Sequence, residues 1–281
     1  MLAVIAAFAS AASFATGSAL QHRAVGQSTT RGSTRRTVQR LVRRPSWTLG
    51  LLLSLLAFAL HAVALSQGAL VLVQPIIVSG IVFAVIIRAG LERSFPPVRT
   101  IIWLVLTWGG LALFLAVRPD DRERDVHATL ALVLTLVVAS GVLGLRVVAA
   151  RTRGRGRHAD RTRGLLLGGS AGLLFGLVAG LLKLCLRNLG TEGLSGVFTH
   201  WPLYALVVVG VWAVILNQRA YSATKLSISA PTLNVAQVLI ALLFGVVVLA
   251  EPIGTSTGQV ITQLLGLLIM IAGIVRLASL D

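Results

Sequence analysis

The apolar positions of this chain come in long runs rather than in alternation, and its polar residues gather between the runs. Residues 47–87 contain no Lys, Arg, Asp or Glu. As a single helix such a run would reach roughly 60 Å, twice the ~30 Å hydrocarbon core of a bilayer. It has to turn back, and Ser66-Gln67-Gly68 is the only polar, flexible triplet near its centre, so the run predicts two spanning helices joined by a tight hairpin. The same reading along the whole chain predicts nine spans, at 1–20, 47–65, 68–87, 100–117, 128–149, 165–185, 202–218, 226–249 and 258–277. The expected fold class is all-α, a polytopic transmembrane helical bundle. The first span contains "SFATGSA", small residues that suit signal-peptide cleavage, but no positive segment precedes it, and it reads as a retained helix.

Composition agrees with lipid as the solvent. Of 281 residues, 56% are hydrophobic and 12% charged, and the mean hydropathy is +0.89. One soluble core cannot bury that much apolar surface. The net charge of +16 raises nucleic acid as a partner, yet 24 of the 25 basic residues fall at span ends or in connections and form no continuous basic face. Their distribution predicts orientation, because cytoplasmic connections retain Lys and Arg. Twenty of the 25 lie after spans one, three, five, seven and nine, which places the N-terminus outside and the C-terminus in the cytoplasm of a plasma or inner-membrane protein. The arginine-rich stretches at 31–44 and 151–164 read as topology signals touching acidic headgroups; RNA binding is disfavoured because no aromatic residue there would stack on a base.

An internal repeat organises the spans. "ALSQGALVLVQP" at 64–75 aligns without gaps to "AYSATKLSISAP" at 220–231, so Ala64, Ser66 and Pro75 match Ala220, Ser222 and Pro231 at a constant separation of 156. Each copy ends a helix, turns, and starts a helix with proline close to its beginning. Repeat A is then 1–118, repeat B is 165–278, and the helix 128–149 connects them. Because that connector is a single span, the second copy enters from the opposite face, an inverted 4+1+4 repeat of the kind from which many secondary transporters derive two exchangeable conformations.

Nine spans in this arrangement, "QHRA" closing the first helix, "AL.QGAL.LVQP" in the second hairpin, and "PLY" followed by "Q.AY...KL..SAP" in the seventh and eighth spans resemble the drug/metabolite transporter superfamily (DMT, EamA-like). The pattern is most similar to its NIPA-type branch and bacterial relatives, over nearly the whole chain. The resemblance implies a helical carrier; NIPA-type members are associated with Mg²⁺, and other branches carry amino acids, nucleotide sugars or drugs.

The candidate site follows from polar groups in apolar surroundings. Proline inside a helix removes a backbone hydrogen bond and frees carbonyls that need a partner, so Pro75 and Pro231 point to a central cavity, with a packing kink as the rival reading. Asn234 and Gln237 share a helical face one turn beyond Pro231, and Gln74 precedes Pro75. His61 and Asn217 are repeat-equivalent. Such side chains line a watery interior or hydrogen-bond between helices. Lys183 lies inside an apolar run, as a counter-ion for an anionic substrate group or as a side chain that snorkels to the interface. Trp108, beside Gly109 and Gly110, is either a pocket wall or packing. No Asp or Glu occupies the middle of a span; Glu92 and Glu251 stand at span ends, where helix-end or loop contacts explain them.

Catalysis is not expected. His22, His61, His127, His158 and His200 show no metal-ligand spacing, Cys185 has no evident partner His, and no Walker A or Rossmann fingerprint occurs. The reading is a carrier working by alternating access on a small metabolite or amphipathic compound, lined by Gln74, Pro75, Pro231, Asn234 and Gln237, with no cofactor and no metal ligand set. Two alternatives stand beside it: a NIPA-like Mg²⁺ carrier, and a non-transporting membrane scaffold whose arginine-rich loops bind an acidic partner. Expected partners are membrane lipids and a small-molecule substrate, with a homodimer left open and nucleic acid excluded.

Overall fold

Hydrocarbon offers no hydrogen bonds, so a chain crossing it must satisfy its own backbone, and an α-helix does this within one segment. The computed structural model describes residues 1–26, 44–93, 95–117, 126–151, 157–223, 226–254 and 256–279. Among these residues every regular element is a helix: α1 Leu2–Gly26, α2 Pro45–Gln67, α3 Leu70–Val78, α4 Gly80–Glu92, α5 Val98–Ala116, α6 Ala128–Arg151, α7 Arg157–Thr199, α8 Trp201–Ala223, α9 Leu226–Val247 and α10 Thr257–Ser279. With α3 and α4 counted as one span, nine among the described residues are long and apolar enough to cross a membrane. Most of the two arginine-rich stretches lies outside the described residues, as do 118–125 and, within the second repeat motif, 224–225.

Turn chemistry sets the boundaries. Pro45 begins α2, where a missing N–H costs nothing, and Gly68 follows α2 in an extended conformation that starts the hairpin. Span six departs from expectation: predicted to end near 185, its helix runs to Thr199 and changes course at Gly193, whose φ is 69°. Residues 186–192 contain no proline, and their side chains tolerate helix in water, so the backbone continues until a glycine takes the left-handed conformation.

The two proline-bearing spans also differ. Pro75 is the sixth residue of α3 and Pro231 the sixth of α9. The first span nonetheless breaks at Ser79, between α3 and α4, whereas α9 continues through its proline to Val247. At the break Ser79 N donates to Pro75 O (3.0 Å) and Ser79 Oγ to Ile76 O (2.7 Å).

Small residues decide which helices meet. Along α1, Gly17 abuts Gly50 of α2, and Ala11 abuts Gly80 of α4. Ser10 Oγ donates across the same interface to Ala57 O (2.7 Å). Along α7, Gly168, Gly172, Gly176 and Gly180 recur every fourth residue and lie against Ser229, Leu233, Gln237 and Phe244 of α9. A Cβ on Gly176 would sit 2.7 Å from Gln237 O, so this approach requires glycine. Gly110 of α5 and Gly266 of α10 face each other reciprocally, each Cβ position 2.7 Å from the other's carbonyl oxygen.

The helices alternate in direction. Ala3 at the start of α1 packs beside Gly68 in the 66–70 turn, and His127 N, just before α6, donates to Val248 O just after α9 (3.0 Å). At the other end Arg276 of α10 lies over the Trp103 ring near the start of α5, 5.6 Å from its centroid. The first helix thus starts, and the last one ends, at opposite ends of the bundle.

Candidate functional site

A chain of polar side chains drawn from three spans lies within the apolar interior. Gln74 is fully buried in α3, four residues past the turn. Its Nε2 donates to His61 Nε2 of α2 (3.3 Å). An amide nitrogen can only donate, so His61 Nε2 accepts and the imidazole is neutral with its proton on Nδ1, given this amide orientation. From the other half of the chain, Gln237 Nε2 of α9 approaches Gln74 Oε1 at 3.5 Å, the long limit for a hydrogen bond. The cluster is thus well connected on one side and loosely on the other, where a polar group inserted between Gln237 and Gln74 would find a donor and an acceptor.

Other predicted residues surround it unevenly. Pro75 and Pro231 are both buried, and Asn234 is half-buried one turn before Gln237. Asn217 stands near the far end of α8, and its Oδ1 is buried without a hydrogen-bond partner. It does not join His61, the residue 156 positions before it, because α2 and α8 present those residues toward opposite ends of the bundle. Trp108 packs edge-on to Phe83 (centroids 5.7 Å) and tilted to Phe8 (6.3 Å). Phe83 lies nine residues beyond Gln74, roughly 13 Å farther along its span, so Trp108 serves an aromatic packing group rather than a wall of the cluster. A cleft of about 490 Å³ lined by Ile86, Ala89, Arg93, Phe95 and Leu104 lies at the bundle end opposite the 66–70 turn and contains none of the predicted residues.

Lys183 reaches the turn at the end of the neighbouring span. Its Nζ donates to Leu65 O and, at 2.8 Å, to Gly68 O, the unsatisfied carbonyls at the C-terminus of α2. Glu251 complements it: Oε1 accepts from Leu70 N and Oε2 from Val71 N, both at 2.8 Å, the free N–H groups at the start of α3. A cation therefore meets the negative end of one helix and an anion the positive end of the next. Both come from the second half of the chain. Burial raises the Glu251 carboxyl above its ordinary range, opposed by the Val71 and Leu70 N–H groups and by the charge of Lys183.

Local backbone puts Glu251 there. Ala250 has φ 50°, a left-handed conformation costly for a residue with a Cβ, and Glu251 N returns to Gly245 O (2.9 Å). A Cβ on Gly245 would sit 2.7 Å from both Glu251 Oε2 and Val71 Cγ2. The sequence marked Glu251 as making helix-end or loop contacts but held no signal for which, since its partners are some 180 residues away. The side chain of Glu92 is outside the description.

No family model matches the chain, and no solved structure matches it. It is similar to an uncharacterised protein of Corynebacterium glutamicum, 26% identical over 282 residues that take in 99% of this chain and 95% of that one.

Proposed function

We propose that this protein is a multi-pass carrier of the drug/metabolite transporter type, moving a small polar or amphipathic compound across the membrane by alternating access. The observation that carries the reading is the His61, Gln74 and Gln237 cluster: hydrogen-bonding groups from both halves of the chain, placed within apolar spans and held together on one side only by a 3.5 Å contact. Buried polar groups inside a membrane bundle are costly unless used. Amides and a neutral imidazole suit an uncharged polar portion of a cargo better than the octahedral oxygen shell that Mg²⁺ keeps.

The inverted 4+1+4 arrangement belongs to the same proposal. Its support is that Gly110 and Gly266, which face each other reciprocally, are separated by the same 156 residues as Pro75 and Pro231. Two residues related by a twofold axis and lying on it must meet in this way. The distribution of Lys and Arg supports an N-terminus outside, which makes the end carrying the 66–70 turn the outer one.

Cysteines placed singly at 234 and 237, with Cys185 replaced by serine, test the reading. A membrane-impermeant thiol reagent is expected to reach them from at least one side. If neither position reacts from either side, the carrier reading fails. Thermal stabilisation of the purified protein by Mg²⁺, lost on Gln74→Ala, would turn the cargo assignment to the cation.

A further inference from the structure

We infer that Lys183 and Glu251 form the outer gate of this carrier, gripping the two ends of the 66–70 turn and so holding the α2–α3 hairpin shut over the His61, Gln74 and Gln237 cluster. The inference rests on the carrier reading and adds to it the residues that close one side.

The geometry has three parts. First, the turn is the lid of the cluster: it joins α2, which carries His61, to α3, which carries Gln74, and both residues lie within about two helical turns of it. Second, the two gripping side chains belong to the other half. Lys183 reaches from α7 and Glu251 from the connection after α9, so every hydrogen bond they make to Leu65, Gly68, Leu70 and Val71 crosses between the halves. A cap supplied from within the hairpin would steady the turn; a cap supplied from outside ties the hairpin to the body it must leave when the outer side opens. Third, the grip works as a unit. Each side chain satisfies the helix end of opposite sign, and Lys183 also acts on Glu251 through space. Removing either leaves the other partly buried with its charge less compensated, so the pair lets go together.

Two neighbouring residues are shaped for this grip. Gly245 leaves room for the carboxylate above the start of α3, and the left-handed Ala250 turns the chain back so that Glu251 points there. Gly245→Ala therefore displaces the carboxylate without removing a charge.

The test uses full-length protein in membranes of known sidedness, with Gln237→Cys in the Cys185→Ser background, labelled by an impermeant maleimide from each side. Glu251→Ala and Lys183→Met are expected to raise the outer labelling rate about tenfold, in keeping with loss of a partly buried helix-end charge. Gly245→Ala should give part of that rise, and Lys183→Arg, which keeps charge and donors, should stay near the parent rate. Glu251→Gln, which retains one acceptor oxygen, covers the case in which alanine does not fold and should fall in between. Inner-side labelling should not rise. An unchanged outer rate in folded variants overturns the gate, as does an equal rise from both sides, which would mean general loosening. Parent protein that labels from inside, with gate variants unchanged outside, removes the gate and leaves the carrier. Outer labelling in the variants, with none from inside in the parent, keeps the gate and removes alternating access. No labelling anywhere removes both.

Discussion

The two spans that begin with the same proline register end up mechanically different. Pro75 and Pro231 each occupy the sixth helical position and each deny one backbone hydrogen bond, yet only the first span breaks. The break lies four residues past the proline, at Ser79-Gly80, where the corresponding pair in α9 is Val235-Ala236. Proline bends a helix; a Ser-Gly pair supplies the side-chain hydroxyl and the weak helix former that let it part. Neighbours reinforce the contrast. Gly80 lies against Ala11, a Cβ there sitting 3.3 Å from Ala11 Cβ, whereas α9 is clasped along its length by the glycine ladder of α7, where a Cβ would come within 2.2–2.7 Å. One copy of the motif is interrupted and the other is continuous, and the interrupted one carries Gln74 and receives the Lys183 and Glu251 hydrogen bonds at its turn.

Four changes would break or sharpen this contrast. The largest effect is expected for Gly172→Ala, whose Cβ would collide with Leu233 O in α9; separating α7 from α9 should cost about 3 kcal/mol or more, read as a lost or strongly lowered melting transition of purified protein. The matching change in the other half, Gly80→Ala combined with Ser79→Ala, should do the opposite. It removes the interruption and gains about 1 kcal/mol of helix propensity, so the melting temperature should rise while outer labelling of position 237 falls. If it melts lower, crowding of the new Gly80 methyl against Ala11 outweighs the propensity gain.

The gate links the two spans and carries a pH dependence. The folded protein holds the Glu251 carboxyl above its ordinary value of 4.5. A raised folded-state pKa means that protonation favours the folded state over the unfolded one, so the contribution is present below the ordinary carboxylate range and is lost as pH rises through the raised value. Melting temperature should therefore decline across that interval in the parent protein and stay flatter in Glu251→Gln; an identical slope in both would show that another group titrates. The smallest effect is expected for Ala250→Gly. It relieves a left-handed residue that costs about 1–2 kcal/mol, offset in part by the larger unfolded-state entropy of glycine, and should raise the melting temperature slightly with labelling of position 237 unchanged.

How much of the site could be read beforehand depended on distance along the chain. That Gln74, Pro75, Asn234 and Gln237 sit inside apolar spans follows from counting residues, because depth in a bilayer is a local quantity at about 1.5 Å per residue. That Gln74 meets His61 and Gln237, while Trp108 turns to Phe8 and Phe83, depends on which faces of which helices touch. Lys183 shows the limit most plainly. Its depth near the end of a span was evident, but its partners, Leu65 O and Gly68 O, are backbone carbonyls more than a hundred residues away and leave no mark on the side-chain pattern.

By itself the sequence determined the nine apolar spans found among the described residues and the turn at Gly68, because apolar run length and turn residues act within a few residues of themselves. Only the tertiary structure decided that α7 lies on α9 and α5 on α10, that one proline span is interrupted and its counterpart is not, and that a lysine and a glutamate from one half hold the hairpin of the other. Those outcomes depend on how closely backbones approach at glycine and alanine faces, a property of pairs of helices that no single segment contains.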